Sequence, residues 1–118
     1  MPKNCLTGPE APNNVTWAAR DQVQVTWSCP EHTNGKLGGY KVECGRKDEN
    51  KTLGIFFTST TTIVLPVNCR EVTHTEYYWV RVSAYNYASQ DKLFGAPVVL
   101  SDVACEASKS SEILSIFL

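Results

Sequence analysis

No window of this 118-residue chain carries apolar residues at helical spacing over three turns, and that lack excludes a helix bundle. Charge of one sign is missing too. Lys and Arg number 11 against 12 Asp and Glu, net -1, and they are scattered, so no basic stripe exists to gather phosphates. Nucleic acid is therefore excluded as a partner. The five cysteines include no CxxC and no Cys/His cluster, so the ligand spacing that zinc requires is absent and no metal or cofactor is expected.

What is present fits one domain, because 42% hydrophobic residues in 118 suffice to close one core. Five cysteines in so short a chain point to structural disulfides and an oxidising compartment. Asn14-Val15-Thr16 and Asn50-Lys51-Thr52 have the form that accepts N-linked glycan, which agrees with secretion. The start, Met1-Pro2-Lys3-Asn4-Cys5, lacks the apolar core of a signal peptide, so an extracellular or cell-surface location requires a chain excised from a longer one. Ile113 to Leu118 is apolar after a small-residue stretch, far short of the ~20 residues of a spanning helix, and reads as a tail. Any membrane attachment would come through an anchor elsewhere in the parent protein.

Alternation of period two recurs in short bursts. Val15 and Trp17 form the first and Val23, Val25 and Trp27 the second, with Arg20 to Gln22 as the turn of a hairpin. A turn-rich stretch through Thr33-Asn34-Gly35 and Gly38-Gly39 precedes Tyr40, Val42 and Cys44. Strands four and five are expected at Leu53 to Phe57 and around Ile63 to Leu65, ended by Pro66. In the sixth, Tyr78, Val80, Val82 and Ala84 alternate with Trp79, Arg81, Ser83 and Tyr85, and the seventh runs from about Pro97 to Val103. Seven short strands predict an all-β, seven-stranded immunoglobulin-like sandwich. Val80 stands where an immunoglobulin domain has its strand-F cysteine, so valine closes this core.

Val23-x-Val25-x-Trp27-Ser28-x-Pro30, Gly39-Tyr40-x-Val42 and Tyr78-x-Val80-Arg81-Val82-Ser83-Ala84-Tyr85-Asn86 resemble fibronectin type III domains in order and spacing, over residues 12 to 105. The resemblance implies that Trp27 and Tyr40 are core residues and that Tyr78 is the corner tyrosine tying its strand to the preceding loop. It implies a lead segment at 1–12, a domain at 13–105 and a tail or linker at 106–118. The sequence departs from the family at Asn68-Cys69-Arg70-Glu71, which looks inserted, and at Val72, where leucine is usual. Cysteine decoration of this kind is similar to ectodomains of receptor-type tyrosine phosphatases and adhesion receptors.

If the sandwich holds, Cys5 and Cys29 share one pole and are expected to pair. Cys69 and Cys105 share the other, and Cys44, in register with Tyr40 and Val42, is left as a buried free thiol. The rival pairing joins Cys44 to Cys69.

Catalysis has no constellation to carry it, since His32 and His74 fall in loops at opposite poles and Cys44 faces valines. No small-molecule substrate is expected. No Arg-Gly-Asp or Trp-Ser-x-Trp-Ser sequence occurs, which removes the integrin mode and the haematopoietic cytokine receptor branch that the family offers. Three loops at one pole, Glu31 to Gly38, Thr58 to Thr61 and Tyr87 to Gly95, are candidate contact sites, with Asp91, Lys92, Leu93 and Phe94 as the residues that meet a protein partner. Trp79, Arg81 and Tyr85 are expected outward on one sheet face. The expected role is an extracellular recognition or adhesion module, monomeric, meeting a protein ligand or neighbouring receptor domains. A passive spacer, or an accessory domain of a secreted enzyme, is the alternative.

Overall fold

The computed structural model describes residues 8–49, 51–88 and 91–107, which leaves Cys5 and Asn50 outside the described residues. Its strands are β1 (Asn13–Ala19), β2 (Val23–Ser28), β3 (Leu37–Arg46), β4 (Thr52–Thr58), β5 (Thr62–Val64), β6 (Glu76–Ala88), β7 (Asp91–Phe94) and β8 (Val98–Cys105). They form two antiparallel sheets, a three-stranded one in the order β1-β2-β5 and a five-stranded one in the order β4-β3-β6, with β7 and β8 both on the far side of β6.

The alternation of apolar residues decides which side of each strand is dry. Val23, Val25 and Trp27 on β2 are buried while Gln24, Thr26 and Ser28 are exposed. Opposite them stand Tyr40, Val42 and Cys44 of β3, Tyr78, Val80, Val82 and Ala84 of β6, and Val103 of β8. Burying each such valine is worth roughly 1.5–3 kcal/mol. Trp27 meets Tyr40 edge-on at 5.3 Å between ring centres.

The seventh strand arrives in two pieces. Pro97 has no N–H to give, and Gly95 N instead donates to Ala84 O at 2.9 Å, so the ladder breaks between β7 and β8. The all-β, immunoglobulin-like sandwich holds with its last strand interrupted. The expected loop Tyr87 to Gly95 is corrected to a hairpin: β6 extends to Ala88, and Tyr85, Asn86, Tyr87 and Ala88 pair with Phe94, Leu93, Lys92 and Asp91. Gly38 and Gly39 likewise lie inside β3 and not in a turn. A β-carbon on Gly39 would come within 2.9 Å of the Tyr85 hydroxyl, so the aromatic ring occupies the space a side chain would take.

Tyr78 is 2% exposed, and its hydroxyl donates to Glu76 Oε2 at 3.5 Å. Arg46 grips the other oxygen of Glu76. The tie expected toward the preceding loop therefore runs to its own strand and on to β3. That preceding segment is held otherwise. Asn68 caps a 3₁₀ turn, Cys69–Glu71, by accepting from Arg70 N, and Cys69 N donates to Asp21 O at 2.9 Å. This places Cys69 against the end of β8, and Cys69 and Cys105 are joined in a disulfide, Cα to Cα 5.1 Å. Cys44 is a buried free thiol, so the rival Cys44–Cys69 pairing is excluded. Cys29 is exposed, and its expected partner, Cys5, lies outside the described residues.

Candidate interaction face

The inner sides of the two sheets make the core, so anything this domain contacts must meet an outer side, an edge or a pole. The outer side of the five-stranded sheet is unlike an ordinary wet face. Register places Lys41 beside Phe57, Glu43 beside Ile55 and Arg81, and Arg81 beside Val99. It also sets Tyr85 opposite Phe94 and Tyr87 opposite Lys92.

Tyr85 is the centre of this face. Its ring lies 6.0 Å from Phe57, 5.6 Å from Tyr87 and 5.5 Å from Phe94, tilted or edge-on to each. The sequence expectation of an exposed Tyr85 is corrected by these neighbours, which leave it 5% exposed. Burial, and then the neighbouring Tyr87 hydroxyl, raise its pKa. Lys92 Nζ stands 5.1, 5.6 and 5.9 Å from the centres of Phe57, Tyr85 and Tyr87, so three rings share one ammonium. Lys41 Nζ lies 5.3 Å from the Phe94 ring. Such contacts are worth about 0.5–1 kcal/mol each where water still reaches the cation.

A second stack continues along the sheet. Arg81 and Trp79 face outward as expected, Arg81 lying over the Trp79 ring at 5.7 Å, and Glu43 sits between Arg81 at 3.6 Å and Lys41 at 3.7 Å. Gly45 makes the room for Trp79, since a β-carbon there would fall 2.6 Å from the indole nitrogen. Of nine large hydrophobic residues exposed among the described residues, six are on this face: Ile55, Phe57, Tyr77, Tyr87, Phe94 and Val99. Apolar residues scattered singly over a surface mean little, but a concentration on one face marks a place where another surface fits.

The four residues expected to meet a partner do not share a surface. Lys92 and Phe94 belong to the aromatic face, while Asp91 and Leu93 alternate to the other side of the hairpin, Leu93 half-buried opposite Asn86. Phe57 and Lys41 went unnoticed in the sequence because only strand register brings them to Tyr85 and Phe94.

At the β2–β3 pole, Asn86 Nδ2 donates to Thr33 O, and Asn34 Nδ2 donates to Gly8 O at 3.1 Å. Glu10, Glu31 and His32 bring ligand atoms within 4.8 Å of one another there, the one grouping among the described residues that could hold a cation. All three are exposed, so water competes for each. His74 stands on the β5–β6 connection at the opposite pole, apart from His32. Asn14 is exposed at a bulge in β1, with φ 53°. Burial pushes the Cys44 thiol up, partly offset by a hydrogen bond from the Gly54 amide, so the reactive thiolate is disfavoured.

This chain has a fibronectin type III-like fold, a two-sheet sandwich with β1-β2-β5 in one layer and β4-β3-β6-β7/β8 in the other. It is similar to domains d3-d4 of the rat CD45 extracellular region, with a TM-score of 0.59 and 20% identity over 80% of this chain and 49% of that one. A myokine structure gives a TM-score of 0.54 at 22% identity, over 80% of this chain and 98% of that one. Titin domains A168-A170 give 0.53 at 22% identity, over 80% of this chain and 32% of theirs. In sequence it is 34% identical over 85 residues to protein sidekick-2 of Gallus gallus. That stretch is 66% of this chain and 4% of the relative. No family model matches the chain.

Proposed function

We propose that this chain is a recognition domain from the extracellular part of a larger cell-surface protein, and that it meets a protein partner through the outer face of its five-stranded sheet. The observation that carries the reading is the concentration of exposed aromatic and aliphatic side chains on that face, interleaved with Lys41, Arg81 and Lys92. Aromatic and arginine side chains at the centre of a patch are the composition of binding hot spots. Lys92 and Phe94 make the contact on this reading, and Asp91 and Leu93 shape the hairpin that presents them.

An extracellular setting is supported by the Cys69–Cys105 disulfide, by the exposed acceptor at Asn14, by the second sequon at Asn50 and by the likeness to an extracellular region. The proposed division keeps 1–12 as a lead segment, 13–105 as the domain and 106–118 as a linker, with Cys5 joined to Cys29. The domain works without catalysis and without a cofactor.

The test uses the chain made in a secretory host, with disulfides and glycans at Asn14 and Asn50 mapped in one digest. It is then presented on beads to a panel of cell-surface ectodomains. Lys92→Glu and Phe94→Ser are expected to weaken capture at least tenfold, about 1.4 kcal/mol, while Asp91→Lys leaves capture unchanged. Capture that ignores all three substitutions would move the contact off this face, and a panel with no partner would favour the spacer role. Folded protein with every thiol reduced would remove the extracellular setting.

A further inference from the structure

We infer that β4 pairs with β4 of a second copy of this chain, antiparallel about a two-fold axis through Ile55. A sheet edge presents unpaired N–H and C=O groups, and proteins that stay single blunt such edges with bulges, charge, proline or shortness.

Three of the four edges in this fold are blunted. β1 is bulged around Asn14, whose backbone is left-handed and whose sequon would carry a glycan. β5 has three residues and runs through Leu65 into Pro66. The β7–β8 edge is cut at Gly95-Ala96-Pro97 and carries the exposed charge of Asp102.

β4 is the exception. Its seven residues, Thr52-Leu53-Gly54-Ile55-Phe56-Phe57-Thr58, contain no charge and no proline. It too has a bulge, at Leu53, but this lies at the start of the strand and leaves the five residues Gly54 to Thr58 in unbroken step with Cys44 to Tyr40. Beyond it no strand is paired among the described residues.

The occupant follows from the sequence of the edge itself, which complements its own reverse. With Ile55 on the axis, Ile55 meets Ile55 and Gly54 meets Phe56 in regular step, and at the bulge Leu53 and Thr52 come beside Phe57 and Thr58. Every pair is apolar or hydroxyl with hydroxyl, and no like charges oppose each other. Glycine opposite an aromatic residue is a pairing this sheet already makes twice, at Gly39 with Tyr85 and at Gly45 with Trp79. Ile55 and Phe57, each 52% exposed, would lose water on pairing, and the two outer faces would join into one. The inference departs from the expected monomer and needs no foreign partner.

So small an interface should dissociate on the order of 10–100 µM in solution and tighten where copies are held together on one membrane. The experiment is sedimentation equilibrium of the secreted chain from about 5 to about 500 µM, with non-reducing gels to separate any thiol-linked dimer. Reversible doubling of mass is expected. Ile55→Lys sets two ammonium groups against each other on the axis and should weaken association by at least about 100-fold with Tm held, Ile55 being half exposed. Leu53→Lys, away from the axis, is the second variant and should weaken it about tenfold. Hydrogen exchange along β4 should slow as concentration rises. A wild-type chain that stays monomeric at the highest concentration, a lysine variant that dimerises as well as wild type, or β4 amides already protected at the lowest concentration would each overturn the inference; the last would mean another segment of the same chain covers the edge.

Discussion

Removing the Cys69–Cys105 link is the perturbation whose size the fold fixes best. Both cysteines are buried and their positions are separately held, Cys69 by its amide bond to Asp21 O and Cys105 by pairing with Glu76. Replacing both with alanine therefore changes the native state little and acts through the unfolded chain. The link closes a separation of 36 residues. The loop-entropy relation gives about 13 cal/mol/K, or about 4 kcal/mol at 25 °C. A domain of this size has roughly 5–15 kcal/mol in all. The double variant should then lose at least about 15 °C in Tm. Urea unfolding of the secreted protein, followed by the fluorescence of buried Trp27, measures the loss, and the m-value should rise because the unlinked chain exposes more surface. A loss below about 1 kcal/mol with an unchanged m-value would refute the argument, because the link would then not be restricting the unfolded chain.

Stability should also fall at high pH. Burial raises the pKa of Tyr40 and Tyr78 above their ordinary 10.0 and that of Cys44 above 9.0, so the unfolded chain gives up these protons first. The stabilisation is whole below those ordinary values and drains as pH climbs through them toward the raised native ones. The urea midpoint should hold to about pH 8.5 and decline steadily above about 9, with Tyr40→Phe flattening part of the decline; a midpoint unmoved to about pH 11 would contradict the assigned burial. Gly45→Val would push a β-carbon to 2.4 Å from Lys51 O and 2.6 Å from the Trp79 ring nitrogen. Overpacking of this kind costs about 1–3 kcal/mol, readable as a drop in urea midpoint, and a neutral result would mean that Trp79 leaves the sheet freely.

Where a strand has one dry side and one wet side, its sequence announces it. Val80 and Val82 against Arg81, and Val23 and Val25 against Gln24, could be sorted to core and surface without any partner strand, because water alone decides the matter. Cys69, Cys105 and Cys44 were legible for a related reason, since topology brings the first two to one pole and turns Cys44 inward. Asp91 to Phe94 was not, because four residues beside a glycine carry too little alternation to be told from a turn, and what makes them a strand is the ladder with Tyr85 to Ala88. Gly38-Gly39 misled in the same way: glycine signals a turn locally, yet here it makes room for the Tyr85 ring crossing from the next strand.

These misreadings meet at Tyr85, and their shared cause is informative. Alternation assigns an outward residue to water, and Tyr85 is outward, yet Phe57, Tyr87 and Phe94 enclose it nearly as tightly as the core encloses Tyr78. The sandwich needs no second apolar layer there, since its core is closed by Val25, Val42, Val80 and Val82 without it. A layer that adds little to the core, and that keeps Phe57, Tyr87 and Phe94 exposed around the buried ring, has a cost in solubility that folding alone does not explain. Sites where sequence logic fails while the fold succeeds are where function is expected to compete with folding. The concentration of those failures on one sheet face adds to the reasons for testing the proposed contact there.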